Sequence, residues 1–88
     1  MPTIAAFHGI VVYMYWAEHG IAHLHAIKGD HEATFEIESG ALMEGEMPSR
    51  TKKMIQAWIA LRRAALMENW RRGRNGLPFE RIPGPDNA

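Results

Sequence analysis

No cysteine occurs among the 88 residues. That absence excludes a disulfide framework, a thiolate metal site and a cysteine nucleophile, and it fits a reducing, cytoplasmic setting. Also missing is any apolar run near the roughly 20 residues that a membrane span requires. The longest, Ile10 to Ala17, is bounded by Gly9 and Glu18 and has the length of a strand. The opening Met1-Pro2-Thr3-Ile4 has no basic segment of the kind that starts a signal peptide. No phosphate-binding loop, dinucleotide-binding glycine pattern, nucleophile elbow or His-Glu-x-x-His helix is present, which argues against nucleotide-dependent chemistry.

Net charge is lacking as well, but the zero total hides a separation. Residues 1–47 carry one basic side chain, Lys28, against seven acidic ones, so −6; residues 48–88 carry nine basic against three acidic, so +6. Either the two halves pack together and neutralise one another, or the basic half meets nucleic acid or an acidic partner. The first is the expectation here, since surface charge runs are usually solvated. A chain of this length forms one domain that buries roughly 60–65% of its unfolded surface. A partner or dimer contact would add to that modest stability.

Pattern along the chain predicts an α+β domain over residues 1–75 and an irregular tail with loose ends over 76–88. Residues 8–16 are rich in β-branched and aromatic side chains and read as a first strand, apolar on both faces and therefore internal in its sheet. A second strand, 23–28, runs into the turn residues Lys28-Gly29-Asp30. In 31–38, Ala33, Phe35 and Ile37 alternate with Glu32, Thr34, Glu36 and Glu38, the pattern of an antiparallel strand with one wet face. Residues 41–45 complete a four-stranded meander. Pro48-Ser49 then opens a helix, with Ser49 as its cap, that runs over about 49–72 and ends before Gly73 and Gly76. Its apolar arc, from Met54 and Leu61 through Ala65, Trp58, Ile55, Leu66 and Ile59 to Trp70, covers about half the circumference, more than the usual stripe of a surface helix. The excess leaves room for a second contact, such as another subunit. Trp58 and Trp70 read as core, and Arg62 lies inside the arc, where it is expected to take a carboxylate partner from the acidic sheet.

What is abundant is histidine, and it is clustered. Three of the five histidines lie in His19-Gly20-Ile21-Ala22-His23-Leu24-His25. Residues two apart on a strand share a face and lie roughly 6.5–7 Å apart along it, so His23 and His25 would emerge together. Such a pair can chelate one metal, divide acid and base roles, or decorate a solvated face. As a metal site, His19, His23 and His25 would supply three imidazoles to zinc, nickel, copper or iron and leave a fourth position open. As a metal-free site they would act as general base and general acid, for instance on a phosphodiester, with Arg62, Arg63, Arg71 or Arg72 stabilising phosphate charge. His8 and His31 lie elsewhere and read as surface residues.

The opening Met1-Pro2-Thr3-Ile4, with Phe7, Gly9-Ile10 and Met14-Tyr15, resembles the small bacterial family called domain of unknown function 4160. So does the block from His19 to Ala26, which is similar to that family's His, proline-rich spacer and Pro-His-Phe-His motif, as do Trp58, Arg63 and Glu68-Asn69-Trp70. The likeness covers residues 1–80, with one departure: Ile21 and Ala22 stand at the spacer's prolines and Leu24 at its Phe, so a stiff approach to the histidine pair is lost. The resemblance implies a partner. Members are commonly encoded beside a second small protein, of domain family 2442, in pairs proposed to be toxin–antitoxin modules. On that basis this chain would be the toxin-like half, binding its neighbour and acting on RNA through His19, His23, His25 and Arg63.

Overall fold

The computed structural model describes residues 2–85. Five strands, β1 (Thr3–Phe7), β2 (Ile10–Tyr13), β3 (His23–Lys28), β4 (His31–Glu36) and β5 (Leu42–Gly45), are followed by one helix, α1 (Ser49–Arg74). The strands form a single antiparallel meander in the order β1-β2-β3-β4-β5. This is the α+β architecture expected, with five strands rather than four. The extra strand arises because residues 8–16 are not one strand. His8 and Gly9 both have positive φ, 49° and 76°, and form the two-residue turn of a hairpin in which Phe7 pairs with Ile10. Such turns require left-handed backbone at both central positions, which glycine adopts freely and histidine more often than most residues. β2 is internal as expected, lying between β1 and β3.

Alternation sorts the side chains by face. Ala5, Ile10, Val12, Leu24, Ala26, Ala33 and Phe35 are buried, and with Ile55, Trp58, Ile59 and Leu66 of α1 they form the core. The opposite face of the sheet bears Tyr13, His23, His25, Glu32, Thr34 and Glu36; from α1, Trp70 reaches it over His23.

The helix differs from expectation at both ends and on one side. Pro48, not Ser49, is its N-cap residue and no side chain caps it; Gly73 lies within its last turn. Leu61 and Ala65 of the expected apolar arc face solvent, and the buried set shifts to Ile55, Trp58, Ile59, Leu66, Asn69, Trp70 and Gly73. The helix bends at Arg62, whose φ of −110° and ψ of 20° leave the helical region. No carboxylate of the sheet reaches Arg62; its guanidinium donates to the Gly84 carbonyl at 2.8 Å. The two halves pack together through the core, but no direct ion pair among the described residues joins them. Among the described residues every ion pair stays within its own half: Glu18 with His23 and His25, and Glu68 and Glu80 with Arg71 and Arg72.

The tail is irregular but not loose over its described part; residues 86–88 lie outside the described residues. Residues 77–85 run back over α1 as a strap, held by side chains that donate to its carbonyls. The Trp58 indole donates to Pro83, Asn69 to Glu80 and Arg72 to Pro78, while the Ile82 amide donates to Ile4 on β1. Asn69 also accepts from the Glu80 amide at 2.9 Å, so one buried side chain satisfies both backbone groups of Glu80. No helix among the described residues is long and apolar enough to cross a membrane.

Removing the buried Asn69 amide breaks both of its bonds to the Glu80 backbone, and an unpaired group costs about 1–3 kcal/mol where it is buried. Asn69→Ala is therefore expected to lower unfolding stability by about 2 kcal/mol or more in urea titration, whereas Leu61→Ala, on the exposed side of the same helix, stays within about 0.5 kcal/mol. Equal effects of the two substitutions would show that the strap is not fastened through Asn69.

Candidate functional site

Strand β3 serves two layers at once. Leu24 and Ala26 point into the core opposite Phe35 and Ala33, so His23 and His25 must point out on the open face. There the register places Tyr13 of β2 on one side of His25 and Thr34 of β4 on the other, with Glu44 of β5 next in the row. The Tyr13 ring stacks on His25, centroids 4.9 Å apart and planes 15° from parallel, and Tyr15 meets His25 edge-on at 5.0 Å. Trp70, from the last turns of α1, tilts over His23 at 5.2 Å. The two imidazoles lean together to 5.2 Å, closer than their spacing along the strand.

The third member of the cluster is Glu18, and it belongs to the connection between β2 and β3. Its Oε1 lies 2.9 Å from Nε2 of His23 and 3.2 Å from Nε2 of His25. The connection is clasped to the far end of the chain. The Ala17 amide donates to the Gly73 carbonyl at 3.0 Å, the Trp16 indole donates to the Leu77 carbonyl at 2.9 Å, and Trp16 stacks on Phe79 at 4.8 Å. Gly73 permits this approach, because a Cβ there would sit 2.8 Å from the Phe79 ring. Ala17 itself has φ of 60°, a left-handed conformation that costs a non-glycine residue of order 1–2 kcal/mol. Strain of this kind persists only where surrounding contacts impose it, and here it directly precedes Glu18.

One hydrogen bond decides what the cluster can hold. Nδ1 of His23 lies 2.7 Å from the Ile21 carbonyl oxygen. A carbonyl only accepts, so Nδ1 carries a proton and donates it. In the neutral ring, Nε2 then presents a lone pair to the Glu18 carboxylate 2.9 Å away, two acceptors facing each other. A cation resolves this, either a second proton on the ring or a metal ion shared by the ring and the carboxylate. A histidine that ligates metal through one ring nitrogen commonly donates the N–H of the other to a backbone carbonyl, which fixes the ring's orientation.

Of the four residues expected to form the site, the structure brings His23 and His25 together. His19 is exposed, and among the described residues the groups whose ligand atoms lie within 4.8 Å of one another are Glu18, His23 and His25. Arg63 is spent elsewhere, its Nε donating to the Ile37 carbonyl at 3.0 Å. The other basic candidates are likewise engaged, Arg62 with Gly84, Arg71 with Glu68 and Arg72 with Pro78 and Glu80. Sequence reasoning missed Glu18, Tyr13 and Tyr15. The available signal was the spacing Tyr-x-Tyr before His-x-His, two matched alternations that an antiparallel pair sets side by side, with one carboxylate between them.

Beyond His25 a shallow cavity of about 350 Å³ opens on the same face, lined by His25, Glu32, Ala33, Thr34, Glu44 and Gly45. The Tyr13 hydroxyl donates to Glu32. Burial pushes the Tyr13 phenol well above its ordinary range, and the neighbouring Glu32 carboxylate adds to the effect. The protonated phenol is thus favoured by the fold. Its contribution is fully present below the ordinary tyrosine pKa of about 10 and is lost as pH climbs beyond that value. Urea titrations between pH 8 and 11 are expected to show wild-type stability falling in the alkaline part of that range and Tyr13→Phe falling less. A difference between the two proteins that does not change with pH would contradict the assignment.

Neither a curated protein nor a solved structure matches the chain. A family model does, over residues 9–71, a span that takes in Tyr13, Glu18, both clustered histidines and most of α1, and whose description is domain of unknown function, DUF4160. The chain belongs to that family.

Proposed function

We propose that this chain binds one divalent transition metal ion, such as zinc or nickel, through Nε2 of His23, Nε2 of His25 and the carboxylate of Glu18. The observation that carries the reading is the bond from His23 Nδ1 to the Ile21 carbonyl, which turns the other ring nitrogen towards Glu18 as a lone pair. Bonds of about 2.0–2.1 Å in tetrahedral geometry separate neighbouring ligand atoms by about 3.3 Å. The separations of 2.9 and 3.2 Å from Glu18 to the two imidazoles need only slight adjustment to reach that value. Three protein ligands leave a position for water or a small molecule, whose acidity the metal would raise.

Calorimetric titration of untagged protein with zinc or nickel is expected to show one site per chain and a rise in thermal stability on loading. His23→Ala and Glu18→Gln should each weaken binding by more than the 10–100-fold typical of outer-shell changes. His19→Ala should bind as the wild type does. A wild type that neither binds nor is stabilised by either ion would overturn the reading. So would a titration in which His19, and not Glu18, proves essential.

A second reading keeps the same imidazoles without metal. In it Glu18 would orient His25 through Nε2 and leave that ring's other nitrogen as general base, as the toxin-like half of a cytoplasmic two-gene module would need to cleave RNA. Two features weigh against phosphate at this place. The candidate arginines are held by other partners, and the histidines are flanked by Glu18, Glu32 and Glu44. A cation is the better electrostatic match.

A further inference from the structure

The open sheet face is more than the setting of a metal site. On one side of His25 the connection between β2 and β3 leaves Tyr15, Trp16 and Ile21 exposed by 41%, 48% and 57%, although all three are large and apolar. Tyr15 touches the His25 ring directly. On the other side lie the carboxylates of Glu32 and Glu44, at the wall of the cavity. Among the described residues no lysine or arginine pairs with either; the Tyr13 hydroxyl is the partner of Glu32. Exposed tyrosine and tryptophan beside uncompensated charge is the composition of a protein-binding surface, where such aromatics supply anchors and charge supplies selectivity.

We propose that this face docks an extended segment of another protein, one carrying an apolar anchor and a lysine or arginine about four residues away. The spacing follows from the register. Tyr13, His25, Thr34 and Glu44 stand in one row across four strands, which spans about 14 Å at the usual interstrand distance. An extended chain covers that distance in about four residues. The apolar side chain seats against Tyr15 and Ile21, and the cationic one enters the cavity between Glu32 and Glu44. At about 350 Å³ the cavity lies at the small end of ligand sites and suits a side chain better than a whole cofactor. Charge selects the occupant, because the row of carboxylates repels a polyanion and attracts a basic segment. No metal is needed for this docking, so it stands or falls apart from the reading above.

Panning a random linear dodecapeptide library on the immobilised full chain tests it. Enriched peptides are expected to combine an apolar residue with Lys or Arg three to five positions away. Their amide-shift footprint should fall on Tyr15, Ile21, His25, Thr34 and Glu44. The Glu32→Gln/Glu44→Gln double variant, whose glutamine at 32 still accepts from Tyr13, should bind them at least about tenfold more weakly, and Ile21→Ser should bind them more weakly as well. No enrichment, acidic peptides, binding unchanged by the double variant, or a footprint on the outer face of α1 would each overturn the proposal. Self-association of the chain through this face that excludes every peptide would overturn it too, by making a second copy the occupant.

Discussion

The alternation of β3 is the constraint on which both halves of this structure depend. Leu24 and Ala26 are fully buried against Phe35 and Ala33, and a one-residue slip would drive the two histidines into that core. Burying two imidazoles without partners costs several kcal/mol, so the hydrophobic effect that assembles the sheet also determines where the site stands. The same register sets Tyr13 beside His25 and fixes that ring by stacking. What remains to be arranged is the carboxylate, and that comes from outside the sheet.

Glu18 is placed by contacts that span almost the whole sequence. The connection bearing it is tied to Gly73, Leu77 and Phe79, and the strap that includes Phe79 is in turn fastened along α1 by Trp58, Arg62, Asn69 and Arg72. The segment before the histidine pair, Ile21 and Ala22, is held in the same way, its carbonyls accepting from His23 Nδ1 and from the Ile37 amide. Hydrogen bonds and a clasp supply there the rigidity that a proline would provide through its fixed φ.

How much of this was legible beforehand divides along the range of the interactions. The strand at 31–36 and the pairing of His23 with His25 follow from a period of two, and the helix from a period of 3.6, although that period alone misplaces Leu61 and Ala65. The turn at His8-Gly9 is hidden because His-Gly is not one of the favoured hairpin dipeptides such as Asn-Gly or Asp-Gly, and the apolar run beside it reads through as one strand. Arg62 and Arg63 were assigned to carboxylates or phosphate, yet both end on backbone carbonyls contributed by segments more than twenty residues away. The clustering of imidazoles points to His19 rather than to its neighbour Glu18. Which of two adjacent loop residues turns inward depends on the backbone at Ala17, and that is imposed by Gly73 from the other end of the chain. Contacts of that range leave no periodic trace in a sequence.

Anomalous diffraction from crystals grown with zinc, collected on both sides of the zinc absorption edge, addresses the account most directly. It predicts one strong peak about 2.0–2.2 Å from Nε2 of His23, Nε2 of His25 and a carboxylate oxygen of Glu18, with His23 Nδ1 still bonded to the Ile21 carbonyl. No peak at that position, or one centred on His19, His8 or His31 instead, would contradict it.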